Sequence, residues 1–309
     1  MGDTREKIAE LRYYEMPIGR YDLALLGDKW VTTYCTGEQH FHNYFEISYC
    51  YYGKGQVFLG ENSVPYEDGT ITLIPRNFPH GIHSDKGNIC KWEFLYIDLV
   101  GFVEKCYEKE PHIKAQILKN IARMPLAISK EDYPYLFHAI WGILEENRAQ
   151  KPLYKEAILG YLYVLVQELV RLNETISLQT SQDALPIEKI RPALVYAEAN
   201  YKKEIKIEQL AAACNISVPY FRRLFADCMH TSPLEYIHTL RIQKACEILQ
   251  KEDIAIHTLA WKVGFTSVST FERNFKKIVG QTPKQWKLKG VKDKEFVSYQ
   301  TKVLRGWTE

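Results

Sequence analysis

The strongest constraint on the fold is a repeat in the C-terminal third of the chain. The segment from Ile207 to Tyr236 aligns with the segment from Ile256 to Trp286 when one single-residue gap is allowed. The matched pairs are Leu210 with Leu259, Ala211 with Ala260, Phe221 with Phe271, Phe225 with Phe275, and Pro233 with Pro283. Two copies are too few for a solenoid, so the repeat predicts a supersecondary unit that occurs twice.

Each copy carries the sequence signals of a helix-turn-helix. A short helix containing Leu-Ala is followed by a residue that tolerates a positive φ angle, Asn215 in the first copy and Gly264 in the second. A serine then precedes the second helix, Ser217 or Ser267, where its side chain can accept a hydrogen bond from the helix start. The stretch from Ser232 to Asp253 is predicted to be a single helix that sets the spacing of the two units.

The second helix of each copy is predicted to be amphipathic. At 100° per residue, one face collects Phe221, Leu224, Phe225 and Cys228 in the first copy, and Phe271, Asn274, Phe275 and Ile278 in the second. The opposite faces carry Pro219, Tyr220, Arg222 and Arg223, and then Ser269, Thr270, Glu272, Arg273, Lys276 and Lys277. In a DNA major groove, arginine can pair with guanine and glutamate can accept from cytosine, while lysines farther along meet phosphates. The alternative is that both faces are merely solvated.

The charge distribution agrees with a polyanion-binding module at the C-terminal end. Residues 187–290 hold 17 Lys and Arg against 10 Asp and Glu, whereas residues 1–186 hold 19 against 25. The formal net charges of the two segments are therefore +7 and −6, within a total of +2. A basic third beside an acidic remainder is typical of a nucleic-acid-binding module joined to another domain, the alternative being an uneven solvated surface.

The repeat also resembles a known family. "LAAACNISVPYFRRLFADCMHTSPLEYIHTLRIQKACEILQ" followed by "IHTLAWKVGFTSVSTFERNFKKIVGQTPKQW" is similar to the DNA-binding domain of AraC/XylS-family transcription regulators. The resemblance implies two helix-turn-helix units on one linker helix, which read two successive major-groove segments. The residues assigned to DNA binding are Ser217, Pro219, Tyr220, Arg222, Arg223, Val268, Ser269, Thr270, Glu272, Arg273 and Lys276. One departure is His230, which replaces the family's usual glycine after the first recognition helix, at a cost of about 1 kcal/mol.

The first 100 residues predict antiparallel β structure, because short apolar and aromatic runs are separated by Gly and Asn turns. The pattern His-x-His-x3-Glu-x6-Gly, followed by Gly-x5-Pro and a further histidine, resembles the two motifs of cupins, which are small barrels that AraC-family regulators commonly use to bind an effector. Side chains at alternate strand positions share a face, so His40, His42, Tyr44 and Glu46 are expected to point to one side. His80 would join them from the second motif. The predicted effector site is Trp30, His40, His42, Tyr44, Glu46, His80 and Trp92.

Three uses of this site stay open. The first is an organic effector with no metal, and the aromatic side chains favour a sugar or another polar ring-like ligand. The second is a divalent transition metal held by His40, His42, Glu46 and His80, since imidazole and carboxylate suit such an ion. The third is an inert domain whose histidines are satisfied core residues.

Residues 101–173 are predicted to be helical. Ser129–Asp132 is similar to a capping box, and Pro152 lies near the start of a further helix. That helix is apolar nearly all round, so it must be buried on more than one side, either in the domain core or against a second copy. Residues 173–186 are polar without helical or strand period, which predicts an interdomain linker.

The cellular context is predicted from what the chain lacks. The seven cysteines are scattered without a C-x-x-C pair, which argues against a disulfide framework and a zinc knuckle. The sequence has no apolar run long enough for a membrane span, and its first ten residues lack the apolar core of a signal peptide. We therefore expect a cytoplasmic protein.

Together these features predict an α+β protein. It comprises a cupin-like β-barrel with following helices at 1–172 for effector binding and dimerisation, a linker at 173–186, an all-α double helix-turn-helix domain at 187–290 and a tail at 291–309. We expect a ligand-responsive, sequence-specific transcription regulator, an activator of carbohydrate-utilisation genes, with no catalytic residues and no cofactor. Its expected partners are double-stranded DNA, a sugar-like effector, RNA polymerase and a second copy, without a membrane. A metal-dependent cupin enzyme fused to a DNA-binding module and a constitutive architectural protein stay open.

Overall fold

The computed structural model describes residues 10–14, 16–17, 19–27, 31–32, 39–60, 62–121, 126–179, 186–229, 231–292 and 304–306. The chain forms two compact units. One comprises residues 16–38 and 44–183, and the other comprises residues 1–15, 39–43 and 184–309.

The strands are β1 (Glu10–Tyr13), β2 (Asp22–Leu25), β3 (Val31–Thr32), β4 (His40–His42), β5 (Phe45–Tyr52), β6 (Gly55–Leu59), β7 (Asn62–Tyr66), β8 (Thr70–Ile74), β9 (His80–Ser84), β10 (Cys90–Ile97), β11 (Leu126–Ser129) and β12 (Leu304–Gly306). The helices are α1 (Leu99–Cys106), α2 (Pro111–Ile121), α3 (Pro134–Ala149), α4 (Tyr154–Gln179), α5 (Pro186–Asn200), α6 (Ile207–Ala213), α7 (Val218–Met229), α8 (Pro233–Lys251), α9 (Ile256–Lys262), α10 (Val268–Val279) and α11 (Pro283–Lys292). No helix among the described residues is both long and apolar enough to cross a membrane.

The N-terminal unit is built on an antiparallel sheet in the order β11-β8-β5-β10-β2, with β3 paired to β10. Along β5, Phe45, Ile47 and Tyr49 join the hydrophobic core that α1 to α4 complete. Because side chains alternate along a strand, Glu46 and Ser48 lie on the opposite face. A second group of antiparallel strands, β7-β6-β9, carries His80. The sheet thus separates an apolar, helix-covered face from a polar one.

The connector between the sheets and the C-terminal helices differs from its prediction. Residues 126–129 form strand β11, and Ser129 lies in that strand and bonds Glu131, so the predicted capping box is wrong. Helix α3 begins at Pro134, and its N-cap residue Tyr133 makes no side-chain cap bond. The strand forms because β8 offers it an antiparallel partner, which local sequence cannot show.

The expectation that residues 173–179, within the predicted linker, lack helical structure is also wrong, because α4 continues to Gln179. Asn173 stays in the helix, where its side-chain amide donates to the carbonyl of Leu169 at 2.8 Å. Once a long helix is anchored by its apolar residues, each further residue adds a hydrogen bond without a new nucleation cost. Residues 180–185 lie outside the described part of the chain.

The C-terminal unit contains the predicted duplication. Helices α6 and α7 form the first helix-turn-helix, and α9 and α10 form the second. Between them, α8 spans 19 residues, roughly 28 Å at 1.5 Å per residue. Its start is fixed by Ser232, whose side chain accepts from the Glu235 amide. Strands β1, β4 and β12 also belong to this unit, with β1 antiparallel to β12 and parallel to β4. A β-rich N-terminal domain with following helices and a helical C-terminal helix-turn-helix domain confirm the α+β prediction.

Candidate DNA interface and effector site

The first recognition helix, α7, buries the predicted face and exposes the other. Phe221, Leu224, Phe225 and Cys228 are all buried in the helical core. The predicted DNA-binding side chains on the opposite side are placed as follows: Ser217, Pro219, Arg222 and Arg223 are exposed, and Tyr220 is half-buried. The guanidinium of Arg223 lies 5.4 Å from the centroid of the Tyr220 ring, a cation–π contact that orients both groups on the outer surface.

The second recognition helix, α10, repeats this division. Phe271, Phe275 and Ile278 are buried. The predicted DNA-binding residues Ser269, Glu272, Arg273 and Lys276 are exposed, and Val268 and Thr270 are half-buried. Lys277 differs from the other exposed cations, because its ammonium group pairs with Glu235 of α8 at 3.2 Å. Arg273 and Lys276 are therefore the cations that this face offers to an incoming polyanion.

The turns adopt the conformations that their residues predict. Asn215 has φ of 54° and Gly264 has φ of 92°. The hydroxyl of Ser267 accepts from the Thr270 amide, which confirms the predicted cap of α10. The helix then ends at Gly280 in the left-handed conformation, with φ of 75°. His230, at the corresponding end of α7, lies outside the described residues.

In the N-terminal unit, Glu46 is the centre of a buried polar cluster. The hydroxyl of Ser48 donates to Glu46 Oε1 at 2.6 Å, and His80 Nε2 lies 3.5 Å from the same oxygen. His80 Nδ1 lies 2.9 Å from the carbonyl oxygen of Phe78, so Nδ1 carries a proton and Nε2 faces the carboxylate. The carboxylate oxygens accept hydrogen bonds, so this buried cluster can bind the hydroxyl group of a ligand.

Further polar groups line the same face of the main sheet. Thr72 is paired with Ser48, and Trp92 is paired with Cys50. Thr72 Oγ1 and Trp92 Nε1 are buried and make no hydrogen bond within the described part of the protein. The Tyr66 ring packs edge-on against Trp92, with centroids 4.9 Å apart, and burial raises the pKa of its hydroxyl. An unsatisfied buried donor or acceptor costs free energy, which a polar ligand can recover.

The other predicted effector residues fall in different places. Tyr44 is buried, whereas Trp30 lies outside the described residues. His42 is fully buried and His40 is half-buried on β4, with their ring centroids 6.0 Å apart. Glu46 and His80, both in the N-terminal unit, offer a carboxylate and an imidazole that could hold a metal ion, whereas His40 and His42 belong to the C-terminal unit.

Sequence reasoning missed several polar groups of this cluster. Ser48 follows Glu46 by two positions, so strand parity alone could have placed it on the same face. Thr72 could not be found in this way, because its position depends on the register between β8 and β5. Tyr66 likewise comes from a strand, β7, that is distant in sequence.

Comparison with known proteins gives the family. Residues 32–163 match the AraC-like ligand binding domain, and residues 210–289 match a helix-turn-helix domain family. An uncharacterized HTH-type transcriptional regulator of Bacillus subtilis, YfiF, is 25% identical over 79% of this chain and 76% of its own length. The lactose operon transcription activator of Staphylococcus xylosus is 24% identical over 73% of this chain and 77% of its own length.

Among solved structures, ToxT of Vibrio cholerae is 14% identical, covering 87% of this chain and 96% of that chain with a TM-score of 0.42. The two domain matches lie in the order that the fold shows, with the ligand-binding domain before the helix-turn-helix domain. The chain belongs to the AraC family of transcriptional regulators.

Proposed function

We propose that this regulator binds a sugar in its N-terminal unit and thereby controls, as an activator, genes for carbohydrate use. The observation that carries the proposal is the set of buried polar groups around Glu46, in which Thr72 Oγ1 and Trp92 Nε1 have no hydrogen-bond partner among the described residues. Hydroxyl groups of a sugar would satisfy them, and the nearby indole supplies an apolar surface. The relationship to a lactose operon activator supports the same ligand class.

The response to the ligand follows from linkage. A sugar that binds one arrangement of the protein more tightly than another shifts the population toward that arrangement. In the favoured arrangement, the two recognition helices gain or lose the ability to bind two successive major-groove segments at the same time. The protein acts in this proposal without catalysis, in the cytoplasm, where it meets DNA and RNA polymerase.

A thermal-shift screen of the full-length chain against a panel of mono- and disaccharides tests the ligand. A binding sugar stabilises the native state by about 2.7 kcal/mol at a concentration one hundred times its Kd. Thr72→Val keeps the shape of the side chain and removes its hydroxyl, so it should reduce the shift; Glu67→Gln alters an exposed residue of the same unit and serves as the control. If no sugar stabilises the wild-type chain, the ligand assignment is wrong.

We also propose that the protein is a homodimer through α4. This helix leaves Leu159, Tyr163 and Val164 exposed, with 38%, 43% and 47% of their surfaces accessible. Exposed apolar side chains on a largely apolar helix are typical of an interface, and a second copy of the chain would bury them. Analytical ultracentrifugation of Val164→Glu should show a monomer at a concentration where the wild-type chain is a dimer. A wild-type monomer would contradict the proposal.

A second candidate is a metal-dependent enzyme fused to a DNA-binding module. The buried pair of Glu46 and His80 favours it, because a carboxylate and an imidazole suit a divalent transition metal. His40 and His42 are the further ligands that the sequence pattern predicts. Elemental analysis of protein purified without chelator separates the two candidates. A stoichiometric metal that is lost in Glu46→Gln would favour this second candidate over a purely organic ligand.

A further inference from the structure

The second helix-turn-helix packs directly on the turn that leads into the first. Gly264 has a positive φ, and a Cβ placed there would lie 2.3 Å from the carbonyl oxygen of Tyr201. Tyr201 follows α5 and precedes α6, and its side chain packs against the core of the second unit. The second helix-turn-helix is therefore in contact with the turn that precedes α6, so α8 is not its sole connection to the first.

Arg241, near the middle of α8, stabilises this contact. Its Nε donates to the carbonyl oxygen of Tyr201 at 2.8 Å, and one terminal nitrogen donates to the carbonyl oxygen of Lys203 at 2.8 Å. Its guanidinium carbon lies 5.5 Å from the centroid of the Phe265 ring, in the turn of the second unit. A single side chain thus touches the α5–α6 turn, the joining helix and the second turn.

The contacts of Arg241 require the planar guanidinium group of an arginine. The residue is only 8% exposed, and burial lowers its pKa below the ordinary value. Two carbonyl bonds to a charged donor and a cation–π contact offset the cost of burying this charge. A lysine would keep the charge but, as a point donor on a flexible stem, would not reproduce the planar fork.

We propose that Arg241 is a positioning residue that fixes the distance and angle between α7 and α10, and with them the base-pair spacing of the two DNA segments that one chain reads. The inference rests on the proposed reading of DNA by both helices, because spacing has an effect only if both bind at once. Two linked modules gain affinity only when their separation matches that of their sites. Without the Arg241 contacts, the chain should therefore bind DNA segments at several spacings and gain less affinity at each of them.

The test uses the full-length chain and a library of random-sequence DNA duplexes. The wild-type chain should select two segments at one fixed spacing. Arg241→Lys should select the same segments at several spacings, and its affinity for the wild-type site should fall about tenfold, because part of the gain from linkage is lost. Its affinity for a duplex with one segment scrambled should stay within about twofold of wild type.

Lys244→Gln is the matched control, since Lys244 lies on the same helix and pairs with Glu247 one turn away. It should keep the wild-type spacing. An unchanged spacing preference in Arg241→Lys overturns the inference. An equal loss of affinity on the two-segment and one-segment duplexes also overturns it, because Arg241 would then support the fold of each unit. If the wild-type chain binds both duplexes equally, the proposed DNA reading itself fails, which is seen without any variant.

Discussion

The two helix-turn-helix units have the same helices and turns, but their turns differ in how closely they are enclosed. Asn215 turns the first unit with φ of 54° and is exposed to solvent. Gly264 turns the second with φ of 92° and faces the Tyr201 carbonyl at a distance that leaves no room for a side chain. A positive φ explains either residue, but only the contact explains why the second must be glycine.

The outer faces of the two recognition helices also differ. The first presents two guanidinium groups, one of them held over Tyr220. The second presents Glu272 beside Arg273 and Lys276, and it is tied to α8 by the pair between Lys277 and Glu235. The fold was duplicated, whereas the chemistry offered to DNA was not.

Exchanging the turn residues between the two helix-turn-helix units should have the largest effect on stability. Gly264→Asn places a side chain against the Tyr201 carbonyl and should lower the free energy of unfolding by about 2 to 4 kcal/mol, in the range of overpacked or strained sites. Asn215→Gly, the reverse exchange, should change it by less than about 1 kcal/mol, because the exposed turn has room for either residue. Urea denaturation of the full chain, followed by far-UV circular dichroism, measures both.

Equal destabilisation by the two exchanges would show that conformation alone, and not the contact with Tyr201, distinguishes the turns. Gly264→Ala adds only the Cβ atom and serves as the intermediate case. It should still cost more than Asn215→Gly.

Removing one arginine from each recognition helix should show whether the two outer faces read different base pairs. Arg273→Ala and Arg222→Ala should each cost about 1 to 3 kcal/mol of binding free energy and relax the preference at one base pair, in different segments. Their effects should add within about 0.5 kcal/mol, because the residues lie on separate units. Titration of duplexes with single base-pair substitutions checks this, and unchanged specific and nonspecific affinity in Arg273→Ala would contradict the groove assignment.

The lysines of α10 should show a smaller and sequence-independent effect. Lys276→Ala should weaken binding evenly across sequences and reduce the slope of log K against log salt by about 1. Lys277→Ala should change the slope less, since Lys277 already pairs with Glu235. A salt titration of both variants measures the difference, and equal slopes would mean that Lys277 leaves its partner on DNA.

The smallest expected effect is a pH dependence of stability that arises in the second helix-turn-helix. The His238 ring stacks on Phe265 with centroids 5.4 Å apart, and burial followed by the charge of Arg241 lowers the pKa of His238 below 6.5. Glu235 opposes this shift, while Lys277 and Arg273 add to it. The unfolded chain therefore binds more protons than the native one just below pH 6.5, so stability is full above that pH and falls as the pH drops through the native pKa.

Thermal melting across this pH range should show the loss, and His238→Gln should reduce it. A variant with the wild-type pH profile would assign the loss to other groups. Asn215 lies in the exposed turn of the first helix-turn-helix and does not titrate, so Asn215→Gly should leave the pH profile of the melting temperature unchanged.

Sequence was sufficient wherever the determining information was local. The buried faces of α7 and α10 follow from helical period, and the turns at Asn215 and Gly264 follow from the residues that tolerate positive φ. The contacts of Arg241 could not be predicted, because their partners lie 40 and 38 residues earlier in the chain. Strand β11 and the pairing of Thr72 with Ser48 depend on sheet register in the same way.

One consequence follows from having two dissimilar recognition helices on a single chain. A symmetric dimer reads a palindrome and meets the same sequence from either side. A chain whose α7 and α10 present different side chains reads a sequence with a beginning and an end. Inverting such a site beside a promoter would turn the bound molecule around, so the orientation of the site, as well as its presence, carries information.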